Sequence, residues 1–401
     1  MGLRTVRTAL VGAVVAALAT TGLATASAAG AGQDAGAHGA TRAAMAAEVK
    51  AGIPGILGQV QDKLGTWHGS VGVADLATDR QRLPQDRFRI GSISKAFVST
   101  VLLQLEAEGR LDLDDTVERR LPGVVRGNGH DGGRITVRQL LNHTSGVFNY
   151  TKDPGMVEKL TSGFPEHRYD TYTPRQLVAI AMKHRPDFRP GQGWNYSNTN
   201  YVLAGMIVEK VTGHTYAAEI QKRVIDKLGL RATTLPGTSS LMPSPHGRAY
   251  GKLSDAPDAE IVDTTELNPS WGGAAGEIIS TTGDLNRFYR ALLGGTLLPE
   301  RQQKELLTTV PMDDAGGGYG LGVTSATLSC GRTVWLHSGG IHGSTSLAVS
   351  TADGRHTAAF NYNGDWRADL PALVEAEYCG GKPAAAALKT NSALAAVTSL
   401  R

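Results

Sequence analysis

Strand patterns open and close this chain while helical patterns fill its middle, so its sheet has to be assembled from segments hundreds of residues apart. Near the start, helical periodicity runs from Thr41 to about Lys63, and Trp67 to Ala77 alternates as a strand. Thr78-Asp79-Arg80 then turns the chain into a second strand ending near Ile90. Near the end, strand patterns cover Leu321–Val323, Thr333–His337, Ser346–Ser350 and Thr357–Tyr362, with turns such as Ala352-Asp353-Gly354 and a final helix over Leu370–Tyr378. Between them, Gly91-Ser92 starts an apolar helix that runs through Glu108 and stops at Gly109. Further helices are expected over Val137–Asn142, Pro174–His184, Asn200–Thr212 and Tyr216–Leu228, and over Thr282–Leu293, where Thr281 or Thr282 caps and Asp284 suits the first turn. The fold class is α+β: an antiparallel sheet built from both chain ends and flanked by helices, with a mostly helical insertion over 111–267.

Residues 1–28 read as a secretory signal, with Arg4 and Arg7 as the positive region, an uncharged run from Ala9 to Ala19, and the small-residue site Ala26-Ser27-Ala28. The run is rich in Ala, Gly and Thr, too weakly apolar to hold in a bilayer, so no stable membrane anchor is expected. A secreted protein cleaved near Ala28 follows, with a flexible lead-in over 29–40, a folded domain over 41–379 and a tail over 380–401 without a sorting pattern. Loss of the two arginines lowers the net charge from +3 to about +1, which gives no electrostatic footprint for nucleic acid. Cys330 and Cys379 are the only cysteines; in an exported chain they fit one disulfide better than a metal site, two buried free thiols being the alternative.

Ser92-Ile93-Ser94-Lys95 carries the S-x-x-K spacing at a strand-to-helix junction. Three residues apart on a helix, both side chains share a face, and Ser92 sits at the helix start, where free N–H groups and the macrodipole favour an oxyanion. A desolvated Lys95 has a lowered pKa and acts as a base toward the serine hydroxyl. Alone, the tetrapeptide is a common coincidence. Tyr196-Ser197-Asn198 follows about 100 residues later, offering a phenol that relays a proton and an amide that binds a carbonyl; by itself it is a loop tyrosine with a helix cap. His337-Ser338-Gly339 ends the strand Thr333–Leu336 about 140 residues further on, where a ring, a hydroxyl and a glycine that admits a substrate backbone line one wall of a cleft. The three together, in this order in an exported chain, carry the argument.

These strings, with Phe88–Phe97, Arg134–Gly146, Tyr196–His214, Tyr319–Gly322 and Leu328–Gly331, make the chain resemble the class C β-lactamase and low-molecular-weight penicillin-binding protein superfamily over about Met45 to Pro383. Its nearest branch looks like the serine D-alanyl-D-alanine carboxypeptidases. The resemblance implies Ser92 as nucleophile, Lys95 as its base, Tyr196 as proton relay, Asn198 as the amide-binding residue and His337 where β-lactamases carry Lys. It further implies an oxyanion hole from the N–H groups of Ser92 and Gly340, substrate contacts from Ser338 and Gly339, Trp271 flanking the cleft, and a Cys330–Cys379 disulfide. No cofactor and no metal are implied, and a monomer is expected. Two departures concern the substrate: that branch holds a C-terminal carboxylate with an Arg and a Thr, where this chain has Thr324 and Gly340. A protonated His337 and Ser338 would compensate only in part.

The reading is an exported hydrolase forming an acyl-enzyme at Ser92, most simply a D-alanyl-D-alanine carboxypeptidase acting on peptides or amides with D-residues, such as peptidoglycan stem peptides, and acylated by β-lactam antibiotics. A D-aminopeptidase, an esterase or a β-lactamase uses the same residues, although H-S-G in place of K-T-G argues against an efficient β-lactamase. A non-catalytic penicillin-binding module is the alternative from another class. G-x-S-x-G and H-E-x-x-H motifs are absent, and His143, His184 and the other histidines lack ligand spacing and read as structural or surface groups.

Overall fold

Nine antiparallel strands form the main sheet: β1 Gly55–Asp62, β2 Gly65–Asp75, β3 Arg80–Gln81, β4 Val310–Pro311, β5 Gly318–Tyr319, β6 Thr324–Thr327, β7 Thr333–Ile341, β8 Ser344–Ser350 and β9 Thr357–Tyr362. Their order is β4-β5-β6-β7-β8-β9-β1-β2-β3, and Ile56 of β1 lies opposite Tyr362 of β9, so the two chain ends meet in the middle of the sheet as expected. The structure, a computed structural model, describes residues 36–380 apart from 255, 257 and 313–316. The signal segment, most of the lead-in and the tail beyond Gly380 lie outside the described residues. The chain divides into Met1–Ala37, of which only Gly36 and Ala37 are described, and a compact unit His38–Arg401 that contains the segment 111–267.

Five helices position or support the site: α1 Gly39–Lys50, α2 Ser94–Ala107, α3 Asn198–Thr212, α4 Thr282–Leu293 and α5 Leu370–Cys379. α2 buries 12 of its 14 residues, because it is apolar on every side and lies inside the front core with Phe97 stacked at 3.7 Å on Phe288 of α4. On that front face Leu57, Trp335, Ile341 and Ala348 point toward the helices; on the back face Ile56, Leu336, Leu347, Val349 and Phe360 pack in a separate cluster with Met45 of α1 and Leu373 of α5. The period of two along each strand therefore sorts one sheet into two cores.

Three expectations are corrected. Helical periodicity carried to Lys63 ends instead at Lys50: Gly52, at φ +107°, and Pro54 stop the helix, and Gly55–Asp62 is drawn into the sheet by ladders on both sides. The lead-in does not reach Ala40, since α1 begins at Gly39 and His38 contacts Glu377 at 3.1 Å. The second strand is two short pieces, β3 and the pair Phe88–Arg89, which bonds to Ile279–Ser280 rather than to the main sheet. Among the described residues no helix is long and apolar enough to cross a membrane.

Candidate active site

The chain turns into α2 through a 3₁₀ turn, Gly91–Ile93, with Ser92 partly exposed at its centre and Lys95 wholly buried one turn on. Gly91 takes φ +51°, and a Cβ there would fall 2.7 Å from the Gly340 carbonyl oxygen. Gly339 is tighter still: its Cβ would lie 1.9 Å from the Ile90 carbonyl oxygen and 2.9 Å from the Ser92 nitrogen. The two glycines thus let β7 press against the turn that bears Ser92. Gly339 serves this internal approach, and the expectation that it admits a substrate backbone is corrected: the space over its α-carbon is filled by the protein itself.

Lys95 Nζ lies 2.9 Å from Ser92 Oγ, 2.8 Å from Asn198 Oδ1 and 2.8 Å from the Ala275 carbonyl oxygen. Burial pushes its pKa well below the ordinary lysine value. The rings of Tyr196 and Tyr201 face Nζ at 4.8 and 5.5 Å, which favours the ammonium form, but burial outweighs them. An uncharged amine has two hydrogens and one lone pair. Two hydrogen bonds to Asn198 and Ala275 use the hydrogens and leave the lone pair for the Ser92 hydroxyl, so the three contacts suit a general base.

Tyr196 lies just before α3. Burial pushes its pKa well up, with a hydrogen bond to Ser92 pulling the other way, so it is a neutral phenol beside Ser92. Asn198 opens α3; its Nδ2 has only a 3.4 Å contact to Thr151. Ser92, Asn198, Trp271, Gly340 and Ile341 line one cavity with Tyr150, Gly272, Ala275 and Gly276. No charged side chain lines it.

The β6–β7 end of the site differs from expectation. His337 is fully buried; its Nδ1 lies 2.5 Å from its neighbour's carbonyl, Ser338 O, and its Nε2 accepts from Tyr319 Oη at 2.9 Å. Burial, with Lys95 adding to it, lowers its pKa to about 3. The protonated His337 entertained as a carboxylate partner is therefore corrected to a neutral ring. Ser338 shares the back-facing parity of Leu336, its hydroxyl is buried without a partner, and it does not line the Ser92 cavity. Thr324 is also wholly buried, its hydroxyl unpartnered. Cys330 and Cys379 form a disulfide that joins the β6–β7 turn to the end of α5.

Sequence reasoning missed four contributors. His143 sits fully buried at φ +64°, a conformation rare for a residue with a side chain, and its Nδ1 accepts from the Ser197 backbone at 3.2 Å and from Asn200 Nδ2 at 3.1 Å. It fixes the start of α3, and its ring lies 4.4 Å from that of Tyr196. Tyr150 lines the cavity and donates its hydroxyl hydrogen to the Trp271 carbonyl. Tyr319 was noticed only as part of a string. The Ala275 carbonyl has no side-chain signal; only the small-residue run Gly272–Gly276 hints at a backbone that approaches other elements closely.

A profile of the beta-lactamase family, described as "Beta-lactamase", matches residues 33–373. Among curated proteins, penicillin-binding protein 4* of Bacillus subtilis is 29% identical over 308 residues, 74% of this chain and 65% of that protein, so the match spans just under two thirds of the relative's length. Among solved structures, a D-stereospecific amidohydrolase from Streptomyces sp. is 55% identical with TM-score 0.83, covering 86% of this chain and 99% of the other. A D-amino acid amidase from Ochrobactrum anthropi SV3, solved with L-phenylalanine amide, is 26% identical with TM-score 0.70, covering 81% and 91%.

Proposed function

We propose that this chain, which belongs to the beta-lactamase family and has its serine-hydrolase fold, is a D-stereospecific amidohydrolase that cleaves amide bonds beside D-residues through an acyl-enzyme at Ser92. The observation that carries the reading is the scarcity of cations beside Ser92: among the described residues Lys95 is the cation-forming side chain in contact with it, none lines the cavity, Thr324 stands where the carboxypeptidase-like pattern has Arg, and His337 is neutral. A free carboxylate buried there would be unpaired, whereas a neutral amide needs only hydrogen bonds. The 55% identity to the Streptomyces amidohydrolase supports the same substrate class.

In this reading the Ser92 hydroxyl gives its proton to the Lys95 amine as Oγ bonds to the substrate carbonyl carbon. The carbonyl oxygen takes the electron pair and faces the backbone N–H groups of Ser92 and Gly340. The carbon–nitrogen bond then breaks, and the proton held at Lys95 passes through the Tyr196 hydroxyl to the departing nitrogen. Asn198 orients Lys95 through Oδ1 and offers Nδ2 to the acyl part. Water repeats the sequence and releases the D-acid.

The test is a substrate panel on purified protein with Ser92→Ala as blank: D-phenylalanine amide, its L form, and a peptide ending in D-Ala-D-Ala. The missing guanidinium is a pair of about 1.5–3 kcal/mol, so the D-amide should exceed the free-acid peptide in kcat/KM by roughly 10- to 100-fold. Faster release of D-Ala from the peptide would overturn the reading in favour of the carboxypeptidase, the second reading, supported by the likeness to penicillin-binding protein 4*. Acylation of Ser92 by a penicillin, read as added mass on its peptide, belongs to both enzymes. Removal of residues 1–28 on export is read by N-terminal sequencing of the secreted protein.

A further inference from the structure

Just upstream of the nucleophile the chain places three arginines within eight residues, Arg82, Arg87 and Arg89, and the fold turns all three into one cavity with Arg248. This small, partly open cavity shares no lining residue with the Ser92 cavity, although Arg89 is three residues from Ser92. The β7–β8 turn runs between the two, with Gly340 and Ile341 against Ser92, and Gly343 and Ser344 against the arginines.

Two of the guanidinium groups are in the interior. Arg89 is 3% exposed; its Nη2 donates to the Ser240 and Leu267 carbonyls at 2.9 and 3.1 Å, while Nε and Nη1 are buried without any partner. Arg82, also 3% exposed, donates through Nη2 to Asn361 Oδ1 at 2.6 Å and through Nη1 to the Asn361 carbonyl, and its Nε has no partner. The half-buried Arg87 also leaves Nε unpartnered, and Arg248 is exposed at the mouth. Carboxylates stand around the cavity without entering it: Asp86, bonded to Arg80 and the Leu83 backbone, acts on Arg82, Glu277, bonded to the Tyr216 hydroxyl and the Gly237 backbone, acts on Arg89, Asp263 and Asp75 pair with Arg248, and Asp365 accepts from the Gly343 backbone. No acidic side chain lines the cavity. Burial lowers Arg82 and Arg89 to about 10, which leaves both cationic at neutral pH. A buried guanidinium with idle N–H groups is an unfavourable arrangement unless an oxygen ligand completes it, and its forked donors match an oxyanion.

We propose that this cavity is an oxyanion-binding site, separate from the acylation centre, in which a carboxylate- or phosphate-sized anion bridges Arg89 and Arg82 beneath Arg87 and Arg248. The Arg89 carbonyl accepts from Ser344 Oγ at 2.7 Å, so an occupant braces the same segment that carries Ser92.

Calorimetric titration of the whole protein with sodium phosphate, and separately with sodium acetate, at matched ionic strength tests this. Saturable binding of one anion per chain is expected, weakened about tenfold or more in Arg89→Gln, weakened to a smaller degree in Arg248→Ala, and unaltered in Ser92→Ala. Binding of phosphate alone points to a free inorganic anion, and binding of acetate as well to a carboxylate source. Absence of saturable binding with both salts overturns the proposal, as does affinity unchanged in both arginine variants. Should Arg89→Gln fail to fold, Arg248→Ala carries the comparison together with anomalous diffraction from selenate-soaked crystals: a peak against Arg89 supports the site, and its absence overturns it.

Discussion

The two faces of the sheet each hold one buried ionisable group, and hold it in opposite ways. On the front, Lys95 is a buried amine whose pKa burial pushes well down, its three partners drawn from Ser92, Asn198 and Ala275, and the neighbouring phenol of Tyr196 has only Ser92 beside it. On the back, Glu377 of α5 accepts from Thr41 of α1 at 2.7 Å and contacts His38 and His356 at 3.1 and 2.8 Å, and the Cys330–Cys379 disulfide closes the end of the same helix. The front leaves groups unsatisfied where a substrate is to enter. The back ties both chain ends to the sheet and leaves its carboxylate fully engaged. Function and stability are thus expected to separate across one sheet, and that separation can be attacked from either side.

The largest effect should come from Ser92→Ala, which is expected to lower kcat/KM by about 10⁴-fold or more while the denaturation midpoint stays where it was. A large loss of stability would break the comparison, because the partly exposed hydroxyl would then be structural. Next, Cys330→Ser with Cys379→Ser opens a loop of 49 residues and should cost about 4 kcal/mol in chemical denaturation, with kcat/KM at low temperature retained. If activity fell in step with stability, the back face would be coupled to the site after all.

Glu377→Ala removes the acceptor of Thr41 and the partner of two histidines, for about 1–3 kcal/mol of destabilisation. The pH dependence has a definite sign. Burial alone raises the Glu377 pKa, but the hydrogen bonds from His356 and Thr41 and the nearby histidines hold it below 4.5. The unfolded chain binds that proton first, so the stability Glu377 contributes is whole above pH 4.5 and is lost as pH falls through the lower folded value. Urea midpoints measured from pH 6 downward should show this in the parent and not in the variant. The smallest effect is expected from the pH–rate profile of His337→Gln. His337 has a pKa of about 3 and is already neutral near neutral pH, so the acid limb, set by Lys95 gaining a proton as pH falls, should not move. A displaced limb would mean that His337 titrates with the reaction.

How much of this was legible depends on how local each feature is. Ser92 and Lys95 are three residues apart on one helix, and their proximity follows from helix geometry. Likewise the strands Thr357–Tyr362 and Trp67–Ala77 and the helix Thr282–Leu293, capped by Thr281, were readable from short patterns and turn or cap residues. β1 was not: its alternation is blurred because it is buried on both faces at the centre of the sheet, with Ile56 and Leu57 in different cores. Ser338 was misassigned because His337-Ser338-Gly339 was read as one wall, although neighbouring residues of a strand face opposite ways. His143 was passed over because its value lies in accepting from Ser197 and Asn200, more than fifty residues on.

By itself, the sequence determined that Ser92 and Lys95 share one helix face, the α+β class and the pairing of both chain ends in one sheet, since helix spacing and strand alternation are local rules repeated along the chain. Tertiary structure alone decided that Lys95 is buried on every side with its pKa pushed well below the ordinary lysine value, held by acceptors 103 and 180 residues away, and that His337 is neutral. Protonation depends on what surrounds a group in space, and no spacing of residues states that. The same holds for the arginines upstream of Ser92: their clustering is visible in the chain, but only the fold shows that two of them are buried with donors left idle.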